Sequence, residues 1–152
     1  DAIFNQKGYA AKEQDIDLHF EINDLSEMSI PSVDLTVVMS NLLDNATEAA
    51  KKLEKQERRM AVKAIYNKSD NPPTLFFSVE NASKSVEIFG DHIPTTKPEP
   101  ELHGFGLPNV MGYSCTNMAF FYLMDYKDGS FLFCLEWPDT AKQKAVVTVQ
   151  NK

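Results

Sequence analysis

A two-layer α/β sandwich, with a mixed, mostly antiparallel sheet and its helices on one face, is the fold this sequence predicts. Three observations predict it. A helical period of apolar residues runs through 32–55, two pairs of short strands stand in hairpin relation, and a long aperiodic segment separates the pairs.

Residues 2–14 mix Ala, Gln, Lys and Glu around Ile3 and Phe4, which favours a short helix despite Gly8. Ile16, Leu18, Phe20 and Ile22 then alternate with Asp17, His19 and Glu21, the period-2 pattern of a strand with one buried face. His19 falls on its solvent side. After a turn-like stretch from Asn23 to Pro31, apolar residues at 35, 38, 42, 46, 49 and 53 predict a helix from Ser32 to Lys55. Ser32 is its expected N-cap, and Lys51, Lys52 and Lys55 suit the negative end of its dipole.

Met60–Tyr66 and Thr74–Glu80 read as strands joined by a turn. From Ala82 to Gly106 no period survives, and a loop of about 25 residues in a compact domain signals a lid or a misread element. A short helix is expected from Leu107, with Pro108 in its first turn. Ala119–Tyr126 and Ser130–Trp137 form the second hairpin, around Lys127-Asp128-Gly129. One domain over residues 1–138, followed by a polar tail over 139–152, is the expected organisation; Ala145–Val149 in the tail reads as an edge strand or as disordered chain.

Composition narrows the function. The 152 residues suffice for a full core, and 15 Lys+Arg against 22 Asp+Glu give a net charge of -7, which repels phosphate backbones and anionic lipid. Nucleic-acid binding is not expected. The longest strongly apolar run, Met118–Met124, is far short of the roughly 20 residues that span a bilayer. Cys115 and Cys134 lack ligand-spaced partners, so neither a zinc site nor a disulfide framework is indicated. The chain opens on Asp1 without a signal-like segment, and it reads as a piece of a longer protein.

Three constellations could carry chemistry. On the long helix, Asn41, Asn45, Glu48 and Lys52 line a stripe on the shoulder of the apolar face. Two amide oxygens one turn apart suit a hard cation that fills its shell with phosphate and water, although a solvated shoulder explains them equally well. Second, Gly104 and Gly106 precede the expected helix at Leu107, where bare backbone and helix-start N–H groups favour an anion; a simple turn is the alternative. Third, Asn81 ends a strand, where its amide could pair with adenine or serve as a turn residue.

In order along the chain, Asn41-Leu-Leu-Asp-Asn45-Ala-Thr-Glu48-Ala49, the strand ending at Asn81, Thr95-Thr96-Lys97, His103-Gly-Phe-Gly-Leu-Pro-Asn-Val110, Asp128-Gly-Ser-Phe131 and Trp137-Pro138 resemble the boxes of the GHKL, or Bergerat-fold, ATP-binding superfamily. The likeness covers about 16–138. It is closest to the catalytic domains of bacterial sensor histidine kinases of the peptide-pheromone-receptor type. The resemblance implies that Asn45 binds Mg²⁺ with Asn41 assisting, that Lys97 in the lid reaches a phosphate, and that Gly104 and Gly106 hold the triphosphate against the helix starting at Leu107. His103, Phe105 and Leu107 belong to the same ATP-binding box. Asn81 stands where most members carry an adenine-binding Asp, and Ser83 where they carry Gly. Glu48 replaces a Lys common in sensor kinases, a contact that Lys52, one turn on, could supply.

ATP-hydrolysing members resemble this sequence but carry Glu at the position of Asn41, and an amide cannot take a proton at neutral pH. The resemblance therefore implies Mg²⁺-dependent ATP binding and γ-phosphoryl transfer to a protein histidine, with Asn41 and Asn45 as the catalytic pair. His19, His92 and His103 are the only histidines, and none sits on an exposed helical face. The acceptor is expected on a dimerisation segment upstream of Asp1, a response regulator is the expected downstream partner, and the location is cytoplasmic, with a membrane-anchored receptor as one possible parent. Two alternatives stand beside this reading: a degenerate GHKL-fold signalling module acting through protein contacts, and an ATPase of the same fold.

Overall fold

The computed structural model describes residues 2–84 and 120–140. Two helices, α1 (Ala2–Glu13) and α2 (Ser32–Lys51), lie on one face of a sheet formed by β1 (Asp17–Ile22), β2 (Arg59–Asn67), β3 (Thr74–Ala82), β4 (Phe121–Lys127) and β5 (Ser130–Pro138). The strand order is β1-β2-β3-β5-β4. β1 runs parallel to β2, and every other pairing is antiparallel. The predicted mixed, mostly antiparallel two-layer sandwich is the observed architecture. The expected lid and the helix expected at Leu107 lie outside the described residues, as does the tail from 141 onward.

The core sits between the layers. β3 alternates strictly, with Leu75, Phe77 and Val79 buried toward the helices and Phe76, Ser78 and Glu80 turned to the open face. From the helix layer Phe4, Val38, Met39, Leu42, Leu43 and Ala46 meet this row. Phe4 stacks on Phe77 with ring centroids 6.3 Å apart. The β4–β5 hairpin closes through Asp128 and Gly129, both at positive φ (52° and 80°), the backbone that a two-residue turn requires and that glycine adopts without strain.

Three expectations need correction. The alternation in β1 does not yield one buried face, since Phe20 is 40% and Ile22 38% exposed. β1 is a sheet edge, and α1 leaves its second half partly open to solvent. Phe20 packs edge-on against Phe4 at 5.8 Å, and it approaches Gly8 so closely that a Cβ there would lie 3.0 Å from its ring. Gly8 thus costs helix propensity and gains a close helix–strand approach.

The long helix ends at Lys51 with Lys52 as its C-cap, short of the predicted Lys55. Leu53 continues the apolar period, but its N–H already bonds Ala50 in a closing turn. Arg58 explains the stop: its guanidinium donates to the carbonyls of Lys51 (3.0 Å) and Leu53 (3.0 Å), satisfying groups left over at the helix end. Ser32 is not the N-cap. That position belongs to Pro31, with no side-chain cap, and Ser32 is the first helical residue.

Beyond β5, Asp139 is tied in. Its N–H bonds the Pro73 carbonyl at 2.7 Å, and its Oδ2 accepts from the Ser29 N–H and the Tyr66 hydroxyl, both at 2.8 Å. No helix among the described residues is long and apolar enough to cross a membrane.

Candidate nucleotide site

The site is built on α2. Leu42, Leu43, Ala46 and Ala50 are buried on its sheet-facing side, which fixes the rotation of the helix about its axis. At that rotation Asn41 and Asn45, one turn apart, come to the margin of the buried face, and both are half-buried. The Asn45 amide nitrogen is itself below the surface. Their carbonyl oxygens are hard, neutral donors in partly desolvated positions, a donor set that fits Mg²⁺ sharing its shell with phosphate and water.

Further along the stripe burial falls away. Glu48 is exposed and takes up an i,i+3 ion pair with Lys51, 3.7 Å apart. Lys52 is exposed where the helix closes. The expected four-residue stripe therefore divides into two partly desolvated amides and two solvated charges.

Asn81 lies on the same interlayer side, in the row Leu75, Phe77, Val79, and it is flanked in register by Met60 and Phe131. It is 2% exposed, and its amide donates to the neighbouring Ala82 carbonyl at 3.1 Å. The structure thus gives Asn81 a local bond at the strand end while keeping its side chain inside the helix–sheet interlayer. Ser83 is buried beside it. Its N–H bonds the Gly129 carbonyl at 2.9 Å, and its own carbonyl accepts from the Tyr126 hydroxyl at 3.3 Å. The β4–β5 turn therefore fixes the point at which the chain leaves β3. Lys97, His103, Gly104, Phe105, Gly106 and Leu107 lie outside the described residues.

Sequence patterns do not single out Asp44 or Arg58, yet both secure this helix. The Lys7 ammonium of α1 meets Asp44 Oδ1 at 2.8 Å, next to Asn45. Arg58 adds to its two bonds at the end of α2 a third, to the carbonyl of Gln14 at 2.8 Å just past α1. Three carbonyls from residues 14, 51 and 53 converge on one side chain only in three dimensions. Titration shifts fall away from the amide stripe: burial, then the bond to Asp139, pushes the Tyr66 hydroxyl up to about 12, and burial raises the Cys134 thiol.

A five-stranded mixed sheet carrying an amide-bearing helix over its central strands defines a class, and comparison with known sequences agrees. Residues 30–137 match the GHKL domain family, and the chain belongs to it. No curated protein matches the chain. Among solved structures it is similar to the nucleotide-free catalytic domain of histidine kinase ThkA, at 18% identity and a TM-score of 0.65 over 93% of this chain and 91% of that one. ThkA in complex with the response regulator TrrA gives 16%, 0.59, 93% and 39%. The histidine kinase domain of the blue-light activated kinase from Erythrobacter litoralis EL346 gives 13%, 0.61, 96% and 64%. Full-length ShkA in complex with AMPPNP gives 16%, 0.62, 90% and 29%. At these identities the likeness establishes a shared fold.

Proposed function

We propose that this chain is the ATP-binding catalytic domain of a two-component sensor histidine kinase, of the peptide-pheromone-receptor type. It takes Mg²⁺-ATP and passes the γ-phosphoryl group to a histidine on an upstream dimerisation segment. The domain is residues 1–138 with 139–152 as its tail, the location is cytoplasmic, and a response regulator is the downstream partner. The observation that carries the reading is the pair Asn41 and Asn45, half-buried one turn apart at the margin of the α2–sheet interface. Family membership, a fold shared with ThkA and ShkA, the AMPPNP complex of ShkA and the TrrA complex of ThkA support it.

In this reading Asn45, assisted by Asn41, offers amide oxygen to Mg²⁺, which when bound neutralises phosphate charge. Asn81 forms the floor for the adenine, and Lys52 serves the phosphates in place of Glu48, whose carboxylate is paired with Lys51. Lys97 and the His103–Leu107 box supply donors from the lid side. The chain's work is positioning and charge neutralisation. Neither Asn41 nor Asn45 can accept a proton at neutral pH, so water at the γ-phosphate is not activated by this pair and the phosphoryl group is kept for the acceptor imidazole.

Titrating the chain with a fluorescent ATP analogue, with and without Mg²⁺ and in competition with ADP, tests the proposal. Mg²⁺-dependent binding in the micromolar to submillimolar range is expected. Absence of binding at millimolar nucleotide would overturn it in favour of a module working through protein contacts, and steady phosphate release by the chain alone would point to an ATPase.

A further inference from the structure

We infer that Lys7 is a positioning residue for the nucleotide site, acting through Asp44 on the amide pair of α2. The inference rests on the functional reading above. α1 lies outside the family-matched span of 30–137, yet it is fastened to α2 at two separate levels. One is the ion pair of Lys7 Nζ with Asp44 Oδ1 at 2.8 Å, in which the Lys7 side chain is only 22% exposed against 55% for Asp44. The other is the Arg58 guanidinium, which holds the Gln14 carbonyl beyond α1 together with the Lys51 carbonyl at the end of α2. Phe4, buried between the layers, keeps α1 seated.

Asp44 stands immediately before Asn45 and three residues after Asn41. Successive residues of a helix are offset by about 100°, so a carboxylate drawn toward α1 fixes the direction in which its neighbours point. The apolar face sets the rotation of the helix as a whole, while Asn41 and Asn45 are only half-buried at its margin, where fewer packing contacts hold their side chains. The Lys7–Asp44 pair adds a second fixed point beside them. Metal ligation is sensitive to displacements that hardly change stability, since ligands must be held close to their productive geometry.

A purely electrostatic role makes the opposite prediction for one partner. If Lys7 only offset the Asp44 charge near an anionic ligand, Lys7→Gln would weaken nucleotide binding and Asp44→Asn would strengthen it. Positioning requires both to weaken it, and requires the double variant to be no worse than either single one.

The test uses the full chain with Lys7→Gln, Asp44→Asn, the double variant and the exchange Lys7→Asp/Asp44→Lys, read by Mg²⁺-dependent binding of a fluorescent ATP analogue and by nucleotide-free thermal midpoint. Expected are losses of about two- to fivefold in affinity for each single variant, non-additivity in the double variant, and recovery in the exchange, with the midpoint little moved. Tighter binding by Asp44→Asn, unchanged affinity in both single variants, additive losses, or affinity that merely follows the midpoint would overturn the inference and leave the functional reading in place. A wild-type chain that binds no nucleotide would overturn both.

Discussion

The two faces of the sheet are made by the same strands, residue by residue, and they differ in almost every physical respect. Toward the helices β3 presents Leu75, Phe77 and Val79, nearly without solvent contact, and ends the row in a buried asparagine. Toward the open side the same strand presents Phe76, Ser78 and Glu80, flanked by the surface ion pair of Lys63 and Glu21 at 3.3 Å and by Phe121 and Leu123 at 71% and 59% exposure. Every described residue proposed for the site belongs to the helix-facing half: Asn81 within it, Asn41 and Asn45 at its margin, Glu48 and Lys52 where it opens to solvent. Partial desolvation at the margin of the helix-facing side strengthens the interaction of the Asn41 and Asn45 oxygens with a cation without burying them beyond reach.

The sharpest way to break this comparison is to cut the same ring from each side of one strand. Phe77→Ala should cost about 3–5 kcal/mol and Phe76→Ala about 1 kcal/mol or less, measured by urea unfolding. Equal losses would mean that the open face is covered. Next in size is Asn45→Ala, expected to weaken Mg²⁺-dependent nucleotide binding about tenfold or more with little change in unfolding free energy, because a bond to a charged partner is lost while core contacts remain. Loss of the fold with unchanged affinity would make Asn45 structural.

An effect of similar size to that of Asn45→Ala concerns the bracket at the sheet end. The Tyr66 hydroxyl is raised from 10.0 to about 12, by burial first and by its bond to Asp139 second. A phenol with a raised folded-state value contributes stability that is whole below pH 10 and lost as pH climbs through about 12. Tyr66→Phe should cost about 1–2 kcal/mol near neutrality and flatten the alkaline decline, followed by unfolding between pH 9 and 12.

What could be read from the sequence follows the same division. Elements whose pattern repeats over several residues were legible: β2 and β3 at Arg59–Asn67 and Thr74–Ala82, and β4 and β5 around Asp128-Gly129, lie within a residue or two of expectation. The location of β1 was legible, but its burial was not, because alternation reports a two-faced strand without saying how far a helix extends over it. The predicted end of α2 runs past the observed one because Leu53 keeps the period, whereas the helix end is held by Arg58, five residues further on and outside any helical pattern. Asn41 and Asn45 stood out by spacing. Lys7 did not, because its partner is 37 residues away, and a lysine on a short helix carries no local sign of what it will meet. Asn81 was placed at a strand end by its neighbours, but its burial depends on β2 and β5 closing around it.

The close seat of α1 against β1 bears on how this family unit should be delimited. The family match starts at residue 30, yet Phe4, Ala11 and Ile16 fill the interlayer and Gly8 is shaped to the ring of Phe20. Trimming the chain to the matched span would strip a helix and an edge strand, bare the flank of Phe77 and β2 to water, and unseat one end of the Arg58 clamp. The body that packs as one layer against the sheet thus begins at α1, well ahead of the stretch that homology marks out.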